Sequence, residues 1–134
     1  MADITLEQRS IMDKSTYRVA LASTDNKHVD QHFGRAESFL IVDVDDKGNY
    51  EEIEQRFVNP VCEGGHHNDE KLKRGADALL DCNFVLAAKI GGGALGELES
   101  RGIAAFEIPG EVPDSIKRLD GYLKLLEEMK TSLF

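Results

Sequence analysis

Apolar residues first cluster at Val19-Ala20-Leu21-Ala22 and return at Phe39-Leu40-Ile41-Val42, with a polar stretch between. Runs that are apolar at consecutive positions read as strands buried on both faces. Tyr17 to Ser23 is therefore predicted as a first strand and Phe39 to Val44 as a second. Thr24 to Ser38 reads as loop, with room for a brief turn at Gly34 to Ser38. Asp45-Asp46-Lys47-Gly48-Asn49 has the composition of a hairpin turn. Tyr50 to Val58, alternating in part through Ile53 and Phe57, gives a third strand that Asn59-Pro60 ends, because proline offers no ladder donor.

The spacing then changes. After the loop Val61 to His67, Asn68 or Asp69 is suited to cap a helix. Leu72, Ala76, Leu79 and Leu80 fall on one face of that helix. Asn83 to Ala88 carries almost no polar residue, as a central parallel strand should. Gly91-Gly92-Gly93 lets the backbone turn tightly into a short helix, Ala94 to Ser100. Ile103 to Ile108 is a fifth strand, broken by Pro109-Gly110. Pro113 suits the first turn of a last helix that buries Ile116, Leu119, Leu123 and Leu126, with Tyr122 and Met129 flanking. Three hairpin-linked strands followed by two crossover units predict an α/β fold, a mixed five-stranded sheet with flanking helices. The element string alone leaves several spatial orders of the strands open.

Composition narrows the class. A chain of 134 residues, 41% hydrophobic and 31% charged, fits one globular domain with a real core. Residues 1–16 are mixed and polar, with Ile4, Leu6, Ile11 and Met12 as the large apolar groups, and read as an N-terminal extension to a single domain at 17–134. A formal net charge of -9 argues against an extended nucleic-acid surface, yet a locally basic cleft can still hold an anion. No apolar run approaches the roughly 20 residues of a membrane span. Met1-Ala2-Asp3-Ile4-Thr5 lacks the features of a signal peptide. Two cysteines without such a signal point to free thiols in the cytoplasm.

The candidate chemistry starts at His28-Val29-Asp30-Gln31-His32-Phe33-Gly34-Arg35-Ala36. Two histidines four residues apart could share a metal on one turn of helix. In a loop, an exposed imidazole followed by Phe33-Gly34 could be a single ligand to something soft, or simply a solvated side chain. Val-Ala-Leu-Ala-Ser, a polar loop, His32-Phe33-Gly34-Arg35-Ala36-Glu37-Ser38-Phe39 and the strand Leu-Ile-Val-Asp-Val together resemble the dinitrogenase iron-molybdenum cofactor biosynthesis family. That family includes NifX, NafY and the C-terminal domain of NifB. The resemblance runs from about Tyr17 to about Ile108 and continues through Gly91-Gly92-Gly93. It implies a ribonuclease-H-like sheet of order 3-2-1-4-5 with the second strand antiparallel. It also implies a small non-enzymatic carrier of iron–sulfur cofactor precursors, served by donor and acceptor proteins of cluster assembly, monomeric or homodimeric. His32 is then the first choice of ligand.

In that order the loops after strands 1, 3 and 4 leave at one sheet edge, where ligands favour the carboxyl ends of strands. The expected cofactor rim is His32, Phe33, Gly34, Arg35, Lys89, Gly91, Gly92 and Gly93. The expected metal donors are His32 and His28 together with Cys62, His66 and His67. The segment Cys62-Glu63-Gly64-Gly65-His66-His67 offers a thiolate and two imidazoles suited to iron–sulfur species or zinc, without a standard zinc spacing. Many family members lack it, which leaves a zinc- or iron-binding regulatory protein as the alternative. Lys89-Ile90-Gly91-Gly92-Gly93 precedes a helix start, where free amides attract anions, but no Gly-Lys-Ser/Thr follows as in a phosphate loop. Arg35, Lys71, Lys73 and Arg74 add positive charge. A nuclease reading would need clustered strand carboxylates. Asp43 and Asp45 on the second strand face a first strand whose apolar run holds no acid. Cys82, just before strand 4, is expected to be a packed thiol at the opposite edge from Cys62.

Overall fold

A computed structural model describes residues 16–58 and 68–132. The elements are β1 (Tyr17–Ala22), β2 (His28–Val29), a single 3-10 turn (Phe33–Arg35), β3 (Ser38–Val44), β4 (Tyr50–Phe57) and helix α1 (Asn68–Asp77). They continue with β5 (Phe84–Ala87), α2 (Gly92–Glu99), β6 (Ala104–Glu107), β7 (Gly110–Glu111) and α3 (Val112–Ser132). Five strands form one sheet in the order β4-β3-β1-β5-β6, and β2 pairs with β7 in a separate ribbon. β3 is antiparallel to both β1 and β4, whereas β1–β5 and β5–β6 are parallel pairs. Numbered among the five sheet strands, this is the order 3-2-1-4-5.

The consecutive apolar run in β1 has a direct cause. Val19 and Leu21 face one core with Leu40, Val42, Ile116 and Leu119, under α3. Ala20 and Ala22 face the other with Phe39, Ile41, Leu79 and Leu98, under α1 and α2. Helices thus cover both sheet faces, and successive side chains of a strand point alternately into each core. Burying one Leu or Ile in such a layer contributes about 1.5–3 kcal/mol.

Several boundaries differ from the sequence reading. The fourth and fifth sheet strands are shorter, β5 at Phe84–Ala87 and β6 at Ala104–Glu107. α2 begins at Gly92 rather than Ala94, because its extended Gly91 already serves as N-cap. Helix α1 stops at Asp77, so Leu80 leaves the apolar face and lies 59% exposed. β4 is a solvent-washed edge: Ile53 and Phe57 are 40% and 72% exposed, and its register shifts opposite Ile41/Val42. Asp45 is not on a strand. It sits in the β3–β4 turn, where its carboxylate accepts the Lys47 and Asn49 amides, both at 2.9 Å. In the last helix Ile116 and Leu119 are buried, Leu123 and Leu126 half-buried, and Tyr122 and Met129 exposed. No helix among the described residues is long and apolar enough to cross a membrane. The segment 1–15 and the Cys62 to His67 loop lie outside the described residues.

Candidate functional site

The stretch after β1 folds back onto the carboxyl edge of the sheet. Asp25 organises its start: its carboxylate accepts the amides of Lys27 at 2.8 Å and His28 at 2.9 Å. Asn26 sits between in the left-handed region, at φ 61, which asparagine tolerates better than most residues. His28 and Val29 then pair with Glu111 and Gly110 as the β2–β7 ribbon. The ribbon ties this loop to the start of α3, where the Val112 amide donates to the Lys27 carbonyl at 2.8 Å.

Beyond the ribbon the chain runs parallel to the segment that leaves β5. The Ala88 amide donates to the Gln31 carbonyl and the Phe33 amide to the Lys89 carbonyl, each at 2.9 Å. His32 and Lys89 are bridge partners. The Phe33 ring drops into the core, 5.7 Å from the ring of Phe39, and packs where a Cβ on Gly75 would approach it at 3.4 Å. His32, one residue earlier, is exposed and makes no capping bond to the 3-10 turn. Strand pairing on one side and a buried phenyl ring on the other thus hold an imidazole out in solvent.

Leu72 of α1 joins this turn to α2. A Cβ on Gly34 would meet Leu72 Cδ2 at 3.6 Å, and one on Gly93 would meet Cδ1 at 3.4 Å. One leucine side chain therefore underlies both the His32 turn and the first turn of α2. Gly91, Gly92 and Gly93 are exposed, and Gly91 offers no side-chain cap. First-turn helix amides lack intrahelical acceptors and favour anions. The structure thus gathers His32, Gly34, Lys89, Gly91, Gly92 and Gly93 on one rim, with exposed Arg35 closing the 3-10 turn, whereas the Phe33 ring, expected on that rim, is buried beneath it. Lys71 is half-buried, and Lys73 and Arg74 are exposed on α1.

His28 is separated from this group in role. Its Nδ1 lies 2.8 Å from Asp25 Oδ2, and that hydrogen bond, with the charge of Asp25, raises the imidazole pKa above its ordinary value. Among the described residues no group of three or more His, Cys, Asp or Glu side chains is placed to hold a metal ion. Cys62, His66 and His67 lie outside those residues. Cys82 is a buried free thiol whose pKa is pushed up to about 12, first by burial and then by neighbouring Asp81.

A groove of about 640 Å³ lies elsewhere, between the β3–β4 turn and α3, lined by Lys47, Asn49, Tyr50, Lys117 and Asp120 among others. It belongs to the amino-terminal end of β1, across the sheet from His32. Its buried acid is already engaged: Asp120 accepts the Tyr17 hydroxyl at 2.9 Å and pairs with Lys124 at 2.8 Å. Size alone does not make that groove the site.

Two residues of the rim escaped the sequence reading. Leu72 reads as ordinary core from its spacing, and nothing local marks its second contact. Glu107, whose carboxylate accepts the Ile90 amide at 2.8 Å, carries no motif because its partner is 17 positions away.

Fold and rim make a small mixed α/β domain that presents an imidazole, an ammonium-bearing residue and a glycine-lined helix start at the carboxyl ends of β1 and β5. Residues 15–121 match the family model described as Dinitrogenase iron-molybdenum cofactor, and the chain belongs to that family. It is 35% identical over 85 residues to the FeMo cofactor biosynthesis protein NifB of Herbaspirillum seropedicae, covering 63% of this chain and 16% of that one. With Protein NifX of Klebsiella pneumoniae it shares 33% over 99 residues, 74% of this chain and 61% of NifX. The chain therefore spans less than two thirds of either relative. Among solved structures it resembles the crystal structure of PH0822, with a TM-score of 0.59 and 27% identity over 78% of this chain and 90% of that one.

Proposed function

We propose that this domain is a non-enzymatic carrier for an iron–sulfur cofactor or precursor of the iron-molybdenum type, received from one assembly protein and released to another in the cytoplasm. The sheet is read as ribonuclease-H-like on its strand order. The observation that carries the function is the His32–Lys89 pairing: an exposed imidazole is fixed beside a lysine and a glycine-lined helix start by backbone pairing, with the Phe33 ring buried beneath it. The imidazole supplies one ligand. Lys89, Arg35 and the α2 amides offset the charge of an anionic cluster. A site with one protein ligand and an open face suits cargo that must leave again. Shared membership with NifB and NifX supports the cofactor class. The alternative, a small zinc- or iron-binding redox or regulatory protein, would use Cys62, His66 and His67, which lie outside the described residues.

The test is His32→Ala, incubated anaerobically with isolated iron-molybdenum cofactor and then analysed for iron and molybdenum after gel filtration. Retention should fall by about tenfold or more, the scale on which weakened ligand shells act. Stability should stay within about 0.5 kcal/mol, as for an ordinary surface substitution. Unchanged retention in a normally folded variant removes His32 from the site.

A further inference from the structure

Glu107 stands where a site for an anion should least tolerate a carboxylate. It ends β6 in register with Ala87, the last residue of β5, and is exposed at the same sheet edge as the rim. Its side chain reaches past the end of β5, where Oε2 accepts the Ile90 amide at 2.8 Å. Ile90 lies between two residues the site depends on. Before it, the Lys89 carbonyl receives the Phe33 amide and so fixes the backbone of His32. After it, Gly91 is the N-cap of α2, and its carbonyl receives the Leu95 amide at 2.9 Å. The Ala88 amide is already tied to Gln31. Ile90 is thus the link between two anchored points, and among the described contacts its amide is held by Glu107.

We propose that Glu107 is a positioning residue of the His32 rim. Its carboxylate clamps the Lys89–Gly91 link, which holds the imidazole and the first turn of α2 in one fixed relation for an anionic ligand. This rests on the carrier reading. The hydrogen bond is the working part, and the negative charge is a cost that the bond to a backbone amide partly absorbs. Glutamine keeps a carbonyl acceptor of similar reach and removes the charge, whereas alanine removes the acceptor.

The experiment compares wild type, Glu107→Gln and Glu107→Ala in the full chain. Amide hydrogen exchange at Ile90 and Phe33 is measured without ligand, and retention and the EPR signal are measured with isolated iron-molybdenum cofactor. Glu107→Ala should speed exchange at both amides, weaken retention by about tenfold, the scale of one charge-assisted hydrogen bond, and alter the EPR signal of the cofactor that remains. Glu107→Gln should keep exchange near wild type and bind at least as well as wild type. Two results overturn the proposal: Glu107→Ala matching wild type in exchange and retention, or Glu107→Gln falling as far as Glu107→Ala. If wild type itself retains no cofactor, the carrier reading fails instead, and the ligand-free exchange rates still decide whether Glu107 fixes the link.

Discussion

His28 and His32 look equivalent in the sequence, four residues apart in one polar stretch, and the fold assigns them different work. An imidazole's role depends on what faces it. For His28 that is Asp25, with Asp30 and Glu111 adding negative charge nearby. For His32 it is solvent and the backbone of Lys89. The Asp25 partnership needs a turn through Asn26 at φ 61, which no spacing rule reports. The pair sets a pH window with a definite sign. The His28 pKa is raised above 6.5, chiefly by its hydrogen bond to Asp25. Its contribution is therefore complete below about 6.5 and is lost as pH rises through the higher folded value. The Asp25 pKa is lowered from 3.8 by the same bond and by the Lys27 amide. Its contribution is present above that value and is lost as pH falls through the depressed one. The loop should be tightest in mildly acidic solution. Asp25→Asn should bring the His28 titration midpoint down toward about 6.5, its value without a partner, followed by ring-proton NMR. A midpoint that stays where it is in wild type would mean that the pair does not form.

Elements were legible where burial gives a pattern and obscure where it does not. β1 and β3 show in the sequence because both of their faces are buried, and α2 follows recognisable glycines, whereas the turn expected at Gly34 to Ser38 lies at Phe33–Arg35. β4 was legible as a strand, at Tyr50–Phe57, but not its exposure: the register shifts beside Ile53, and Ile53 and Phe57 face solvent. The β2–β7 ribbon could not be seen, since two residues per strand carry no period. The β3–β4 turn was legible by composition, but its reliance on Gly48 was not. Gly48 has φ 84, and a Cβ there would meet Asp120 Oδ2 at 2.9 Å. Asp120 cannot readily yield, being held by both Tyr17 and Lys124. Gly102 has a similar φ of 74 with nothing within 4 Å, so it isolates the backbone cost. Gly102→Ala should cost about 1 kcal/mol and Gly48→Ala about 2–3, within the range for strained backbone, measured by urea denaturation. Equal losses in the two variants would show that the contact with Asp120 does not matter.

At the scale of the molecule, strand order turned a scattered set of residues into a rim. Hydrophobic pattern gave five sheet strands and three crossover or terminal helices, and the family resemblance gave their order. The link between Glu107 and Ile90 and the double contact of Leu72 are tertiary, between distant positions, and had no local trace. The same scale exposes a tension in the proposed function. The chain carries 25 acidic and 16 Lys or Arg residues, a net charge of -9, yet the proposed cargo is anionic. Far from the surface an anion meets the whole negative charge, while at the rim it meets Lys89, Arg35 and the α2 amides. Screening separates the two, because the Debye length falls from about 30 Å at 0.01 M salt to about 8 Å at 0.15 M. Raising salt over that interval therefore removes the long-range repulsion while leaving contact interactions comparatively intact. The association rate of isolated iron-molybdenum cofactor, followed anaerobically by stopped flow, should increase several-fold across that interval, opposite to the usual slowing seen with an attracting surface. Lys89→Glu should weaken the final complex and keep the same sign of salt dependence, because it changes the contact and makes the net charge more negative. A wild-type rate that falls as salt rises would mean that the basic rim governs the approach from a distance, and that the overall acidity of the chain plays no part in choosing what it carries.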